Sequence, residues 1–288
     1  MIGQKSSQKF VKLSEDFFAD ADYAGALKKV GLTDIDRVFE FDGGKNLTKA
    51  ELARHRSRVK FDLDEPKTTV FLKRYDRVPV LTQITNWLHH HSRASTSSFD
   101  RSGAEQLACV GINTPRTIAY GEQWAGGFER RSFIMTSRLE GAESLERRLP
   151  DSFYGEYSEE NRMRRKDFIK GLADFVRRFH EAGFRHCDLY FSHIFRGEDG
   201  VLYLIDLQRV FKPLLFKERF RIKDISQLYY SAHPKHFSRT DRLRFYRIYT
   251  GRKKLGPADR RFIHKVNSRA VRMASHDARH GRAVGFAI

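Results

Sequence analysis

The sequence predicts an α+β fold, antiparallel and β-rich in its first half and helical in its second. Two observations carry this. RSRVKF (56–61) alternates apolar with polar residues and TTVFLKRY (68–75) is β-branched and aromatic, the pattern of half-buried strands. Further on, Phe168, Ile169, Leu172, Phe175, Val176 and Phe179 recur at helical spacing, which buries one face of a long helix. The character changes near residues 138–141.

In chain order, residues 10–32 carry Phe17, Phe18, Leu27 and Val30 at helical spacing and end at Gly31, so a helical extension is expected over 1–35. RVFEFD (37–42) reads as a strand running into a Gly43-Gly44 turn, followed by the strands at 56–61 and 68–75. Helices are expected over 81–93 and 101–111, the second closed by Gly111 and Pro115. RTIAYG and RRSFIMTS then read as two more strands, completing a region from 36 to 138. From 139 to 288 the reading is helical except for FRHCDLYFSHIFRGEDGVLYLIDLQR, where two short apolar runs flank a GEDG turn. Three helices follow, over 221–232, 240–249 and 257–275, the last strongly basic.

A chain of 288 residues with 40% hydrophobic composition can build one or two domains with a sizeable core. Its opening, MIGQKSSQKF, lacks the apolar segment of a secretory signal, and no apolar run approaches a membrane span, so a cytoplasmic protein is expected. Cys109 and Cys187 make neither a disulfide framework nor a zinc spacing, and two reduced thiols are expected. The formal charge of +18 is unevenly spread: residues 201–288 hold 21 basic against 6 acidic side chains, while residues 1–200 are close to neutral.

Asp188 and Asp206 stand at the outer ends of the two runs joined at GEDG. A hairpin there would set both carboxylates at one edge, where they repel unless a cation or proton accompanies them. Two aspartates alone could equally be turn or cap residues. Context favours chemistry: HCDLYFSH followed by LIDLQ resembles the protein-kinase pair H-R-D-L-x-x-x-N and D-F-G. The other parts of such a site occur in the same order. VFLK (70–73) ends in Lys73, Glu105 lies in the next helix as its candidate ion-pair partner, Gly43 and Gly44 could cradle phosphate, and Asp224 stands where kinases brace the catalytic loop.

HCDLYFSHIF, with His193 in place of the metal-binding asparagine, and LIDLQR in place of D-F-G, resemble the lipopolysaccharide core kinase family (Kdo/WaaP type). FEFDGGKNLTKAEL, AEQLACVGINTPRTIAYGE and RFYRIYTGRKKL agree with it, so the resemblance spans roughly residues 15–275. It implies a protein-kinase-like two-lobed fold and an ATP- and Mg2+-dependent kinase acting on a heptose or Kdo of the lipopolysaccharide inner core. Under it, Asp188 would accept the proton of the attacking hydroxyl and Asp206 would hold magnesium, with His193 as second ligand or as a hydrogen-bonding support. Imidazole is a softer donor than magnesium prefers, which favours support. Lys73, held by Glu105, would meet the α and β phosphates, and backbone groups from Thr136 to Arg138 would grip the adenine.

The sequence also departs from protein kinases. Cys187 replaces the arginine that answers a phosphorylated activation loop, Gln208 replaces the glycine of D-F-G, and only 17 residues separate Asp206 from Asp224. That is too short for a peptide-docking platform, so a small or lipid-linked acceptor is expected. RVFKPLLFKERFRIK (209–223) interleaves basic with large apolar residues, a composition suited to an anionic membrane surface or a phosphorylated glycolipid and, with less support, to nucleic acid. The expectation is a monomer held peripherally at the inner face of the inner membrane. The competing readings are a small kinase-like ATPase bound to RNA and a pseudokinase scaffold.

Overall fold

The structure, a computed structural model, describes residues 8–48, 55–152 and 159–282. The chain divides into two compact units, Met1–Glu105 with Pro115–Leu139, and Gln106–Thr114 with Glu140–Ile288.

The first unit is built on a seven-stranded sheet. Its strands are β1 (Phe10–Ser14), β2 (Phe17–Asp20), β3 (Lys45–Asn46), β4 (Arg56–Asp64), β5 (Lys67–Asp76), β6 (Thr117–Ala125) and β7 (Phe128–Ser137), in the order β1-β2-β6-β7-β5-β4-β3 with every pair antiparallel. Alternation along β5 sends Val70 and Leu72 into the core while Lys73 faces the other way, as period 2 requires. The helices α1 (Ala24–Lys29), α2 (Ile35–Glu40), α3 (Val80–His90) and α4 (Thr96–Cys109) complete the unit, α4 running on into the second.

Three expectations for this region fail. The segment expected as a leading helix opens with the hairpin β1–β2, and only Ala24–Lys29 is helical. The same apolar residues also fit a strand, and tertiary pairing decides: β2 runs beside β6, and fully buried Phe17 meets Phe133 edge to face at 5.0 Å. RVFEFD is mostly helix, because Asp34 caps α2 by accepting the Arg37 N–H at 2.9 Å while Ile35 and Val38 bury one face. Gly43 and Gly44 therefore lie between a helix and the short β3 rather than between two strands. The link from β3 to β4 includes residues 49–54, which lie outside the described residues.

In the second unit α6 (Glu159–Glu181) buries all six of the apolar residues at helical spacing. The strands β8 (Ala142–Ser144), β9 (Ile194–Gly197) and β10 (Leu202–Leu204) form a small antiparallel sheet ordered β10-β9-β8. β9 and β10 join at the GEDG turn, where the Gly197 N–H donates to the Val201 carbonyl at 2.9 Å. The other helices are α5 (Leu145–Ser152), α7 (Lys217–Ser231), α8 (Arg239–Thr250) and α9 (Pro257–Arg279), with α6 against α8 and α7 against α9. Among the described residues no helix is long and apolar enough to cross a membrane.

Gly44 is required by its surroundings. Its φ is +92°, and a Cβ there would lie 2.4 Å from the Lys60 carbonyl oxygen. Gly44→Ala should cost about 2–3 kcal/mol, read as a lower urea midpoint at unchanged m-value. An unchanged midpoint would show that this backbone relaxes freely.

Candidate active site

The segment His186–His193 is gripped by one face of α7. Asp224, Gln227 and Ser231 fall at i, i+3 and i+7, so they share that face. Asp224 Oδ2 accepts the His186 N–H at 2.9 Å, and its Oδ1 accepts the Cys187 N–H at 2.7 Å. Gln227 takes the Leu189 N–H on Oε1 at 3.0 Å and donates from Nε2 to the Cys187 carbonyl at 3.0 Å. Ser231 Oγ accepts the Phe191 N–H at 3.2 Å. This grip holds Cys187 at φ +64°, a left-handed conformation costing about 1–3 kcal/mol that persists only where neighbours over-determine it.

Asp224 is fully buried. Burial opposes its ionisation, but the hydrogen bond from His180 Nε2 at 3.1 Å and the loop amides outweigh that and hold its carboxyl below the usual carboxylate range. His180 is kept neutral by burial, and its Nδ1 meets the Tyr249 hydroxyl at 2.8 Å.

The loop and the β9–β10 hairpin bring Asp188, His193 and Asp206 together. The Asp188 carbonyl meets His193 Nδ1 at 2.7 Å. A carbonyl only accepts, so Nδ1 carries a proton, and Nε2 lies 3.9 Å from Asp206 Oδ2. The Ile205 N–H donates to the His193 carbonyl at 3.1 Å, fixing that approach, and Asp206 itself sits at φ +57°. Arg209 Nη1 donates to Asp188 Oδ2 at 2.7 Å, and Gln227 Nε2 reaches Asp188 Oδ1 at 3.5 Å. Arg209 was legible in the sequence only as one charge of a basic run, since nothing in its spacing points it back at Asp188.

In the first unit, Lys73 pairs with Asp100 rather than Glu105. Lys73 Nζ lies 3.1 Å from Asp100 Oδ2 and both side chains are largely buried. Glu105 instead meets Arg101 at 2.8 Å on the surface. Five residues along a helix turn a side chain by about 140°, so both acids cannot serve one lysine. The expected helix began at 101 and left Asp100 outside it. The signal missed is Ser95, whose Oγ accepts the Ser98 N–H at 3.2 Å and starts the helix five residues sooner.

Of the backbone groups expected near the adenine, two N–H groups are bonded within the first unit. Thr136 is in register with both Phe71 and Thr117 inside the sheet, and the Ser137 and Arg138 N–H groups donate to the carbonyls of Arg116 at 2.9 Å and Thr69 at 2.7 Å.

The sequence profile of the lipopolysaccharide kinase (Kdo/WaaP) family matches residues 51–249. The chain belongs to this family. Among its relatives is the lipopolysaccharide core heptose(I) kinase WaaP of Escherichia coli (strain K12), 27% identical over 78% of this chain and 87% of the relative. The WaaP of Pseudomonas aeruginosa is 32% identical over 49% of this chain and 54% of its own length. A solved structure, WaaP in complex with acyl carrier protein, superposes with a TM-score of 0.65 at 24% identity, covering 82% of this chain and 91% of that one. The likeness extends to the fold, which is protein-kinase-like in this chain too. As a family member the chain is a phosphotransferase with an alcohol acceptor.

Cys187, in the loop of this kinase, is 6% exposed, and burial pushes its thiol up to about 11, whereas Cys109 is exposed. Iodoacetamide at pH 8 should therefore modify Cys109 in the folded kinase and reach Cys187 only after unfolding. Equal modification of both in the native state, read by peptide mass spectrometry, would contradict a loop gripped by α7.

Proposed function

We propose that this chain is an ATP-dependent kinase that phosphorylates a heptose of the lipopolysaccharide inner core at the cytoplasmic face of the inner membrane, acting as a monomer. The observation that carries the reading is the set Asp188, His193 and Asp206, with the loop that carries the first two held by one face of α7. The names of the relatives favour heptose over Kdo.

The donor set fits a divalent cation. His193 Nε2 and the Asp206 carboxylate oxygen lie 3.9 Å apart, close enough for both to reach one divalent cation. Among the described residues no group of three or more His, Cys, Asp or Glu forms a metal cluster, so phosphate and water oxygens would complete the shell, as they do for Mg2+. This favours His193 as a ligand over the supporting role expected from softness alone. When bound, the cation would neutralise charge on the nucleotide phosphates.

The chain's own residues supply the rest. Asp188 accepts the hydroxyl proton as the sugar oxygen attacks the γ-phosphorus and the bond to the ADP oxygen breaks. Gln227 holds the other Asp188 oxygen in place. Residues 188–193, DLYFSH, contain no lysine or arginine, and Arg209, 2.7 Å from Asp188 Oδ2, orients that carboxylate and sets a guanidinium beside the reacting groups, where it would meet phosphoryl oxygens. Lys73, kept straight by Asp100, pairs with nucleotide phosphates.

Leu214, Leu215 and Phe216 are 66–72% exposed and lie between Lys212 and Lys217. Three consecutive exposed apolar side chains flanked by cations suit an anionic membrane surface, where the apolar tips enter and each nearby cation adds about 1 kcal/mol.

Purified protein, ATP and a dephosphorylated core acceptor test the reading. Asp188→Asn should reduce kcat by about 10³-fold or more, and Arg209→Ala by about 10²-fold with partial recovery in Arg209→Lys. Transfer unaffected by Asp188→Asn would refute the assigned base, and faster transfer in Arg209→Ala would make that ion pair inhibitory.

A further inference from the structure

A second polar site lies in the second unit, on a side of the catalytic loop that the proposed chemistry does not use. It is a cleft of about 430 Å³ bounded by α6, the segment after it, α7, α8 and α9. Six cations line it: Arg177, Arg185, Arg221, Arg252, Arg261 and Lys265. Three are matched by carboxylates on the same walls, Arg177 with Glu181 at 3.2 Å, Lys265 with Glu218 at 3.1 Å and Arg252 with Asp259 at 2.7 Å. Arg185, Arg221 and Arg261 have no carboxylate partner among the described residues.

Arg185 is the telling member. It is 7% exposed, donates from Nη1 to the carbonyls of His180 at 3.1 Å and of Phe184, and leaves its buried Nε without a partner. Asp224 nearby offsets only part of its desolvation, and burial still lowers its proton affinity below the ordinary value. Arg221 lies over the Phe262 ring at 4.6 Å, with its own Nε buried and unmatched. Two half-buried to buried guanidiniums and an exposed one on a single cleft form a charge surplus waiting for a counter-charge. Arg177 and Arg252 also line a neighbouring depression that adds Arg244, Arg247 and Lys253, so the positive potential extends outward from the cleft.

We infer that this cleft binds a small phosphorylated anion, held by the guanidinium groups of Arg221 and Arg261 with the buried charge of Arg185 behind them. Guanidinium groups match phosphoryl oxygens in pairs, and the volume admits a diphosphate or a phosphorylated sugar as well as a single phosphate. His180 and Tyr249, both on the cleft wall, connect it through Asp224 to the amides of His186 and Cys187. An occupant would thereby touch the same hydrogen-bonded chain that braces the catalytic loop. The phosphoryl group could belong to a free metabolite or to a lipid headgroup.

Isothermal titration of the full chain with inorganic pyrophosphate, in EDTA and at physiological ionic strength, tests this without any phosphoryl transfer, so the result is independent of the kinase reading. Binding should weaken about tenfold or more, roughly 1.4 kcal/mol, in Arg261→Gln/Lys265→Gln, both exposed on α9 and therefore compatible with folding, and again in Arg221→Gln. It should persist in Asp206→Asn. Displacement of pyrophosphate by vesicles of phosphatidylcholine with phosphatidate, and not by phosphatidylcholine alone, would identify a headgroup as the source. Failure of both vesicles to displace it would identify a free ligand. Equal affinity in the wild type and the cleft variants, or loss of binding in Asp206→Asn alone, would overturn the site.

Discussion

Asp224 is the carboxylate on which the second unit's chemistry depends. It is fully buried, so its charge would be prohibitive without the three donors it meets: His180 Nε2 and the amides of His186 and Cys187. The dependence is mutual, since those amides would otherwise be buried without partners and Cys187 would not stay at positive φ. Asp188, the next residue, inherits its direction from that constraint. Through the Asp188 carbonyl the same constraint fixes the protonated nitrogen of His193 and turns the other toward Asp206. One buried charge thus orders Asp188 and His193 together.

Charge is handled differently around this point. Where the chemistry is read, cations are matched closely: Arg209 with Asp188, and Lys73 with Asp100. In the basic cleft three of six cations lack a carboxylate partner among the described residues, and Lys212 and Lys217 flank the exposed Leu214-Leu215-Phe216 segment. Part of the +15 excess of residues 201–288 is thus gathered into local features, distinct from a uniform coat.

Much of the fold could be read from the sequence, for physical reasons. The α6 face and the β4–β5 pair carry clean periods of 3.6 and 2, and Asp188, Asp206 and Asp224 stand in a recognisable order, which the structure turns into one hydrogen-bonded loop. What escaped were elements whose local pattern is ambiguous. Phe17 and Phe18 fit a helix as well as a strand until β6 supplies a partner, and RVFEFD looks extended until Asp34 caps it. The Lys73 partner was misassigned because Ser95 starts α4 early and rotates Asp100, not Glu105, toward the sheet. Arg209 and the cleft cations gather only through tertiary folding, so no spacing could reveal them.

The central claim, that Asp224 holds the loop His186–His193 in place, is tested most directly by amide hydrogen exchange. The account predicts that the His186 and Cys187 amides are among the slowest of the second unit. It also predicts that Asp224→Asn speeds their exchange by about tenfold or more, while amides in the buried stretch of α6, such as those of Ala173 and Val176, keep their protection. Fast exchange of the two loop amides in the wild type, or protection unchanged in Asp224→Asn, would contradict it.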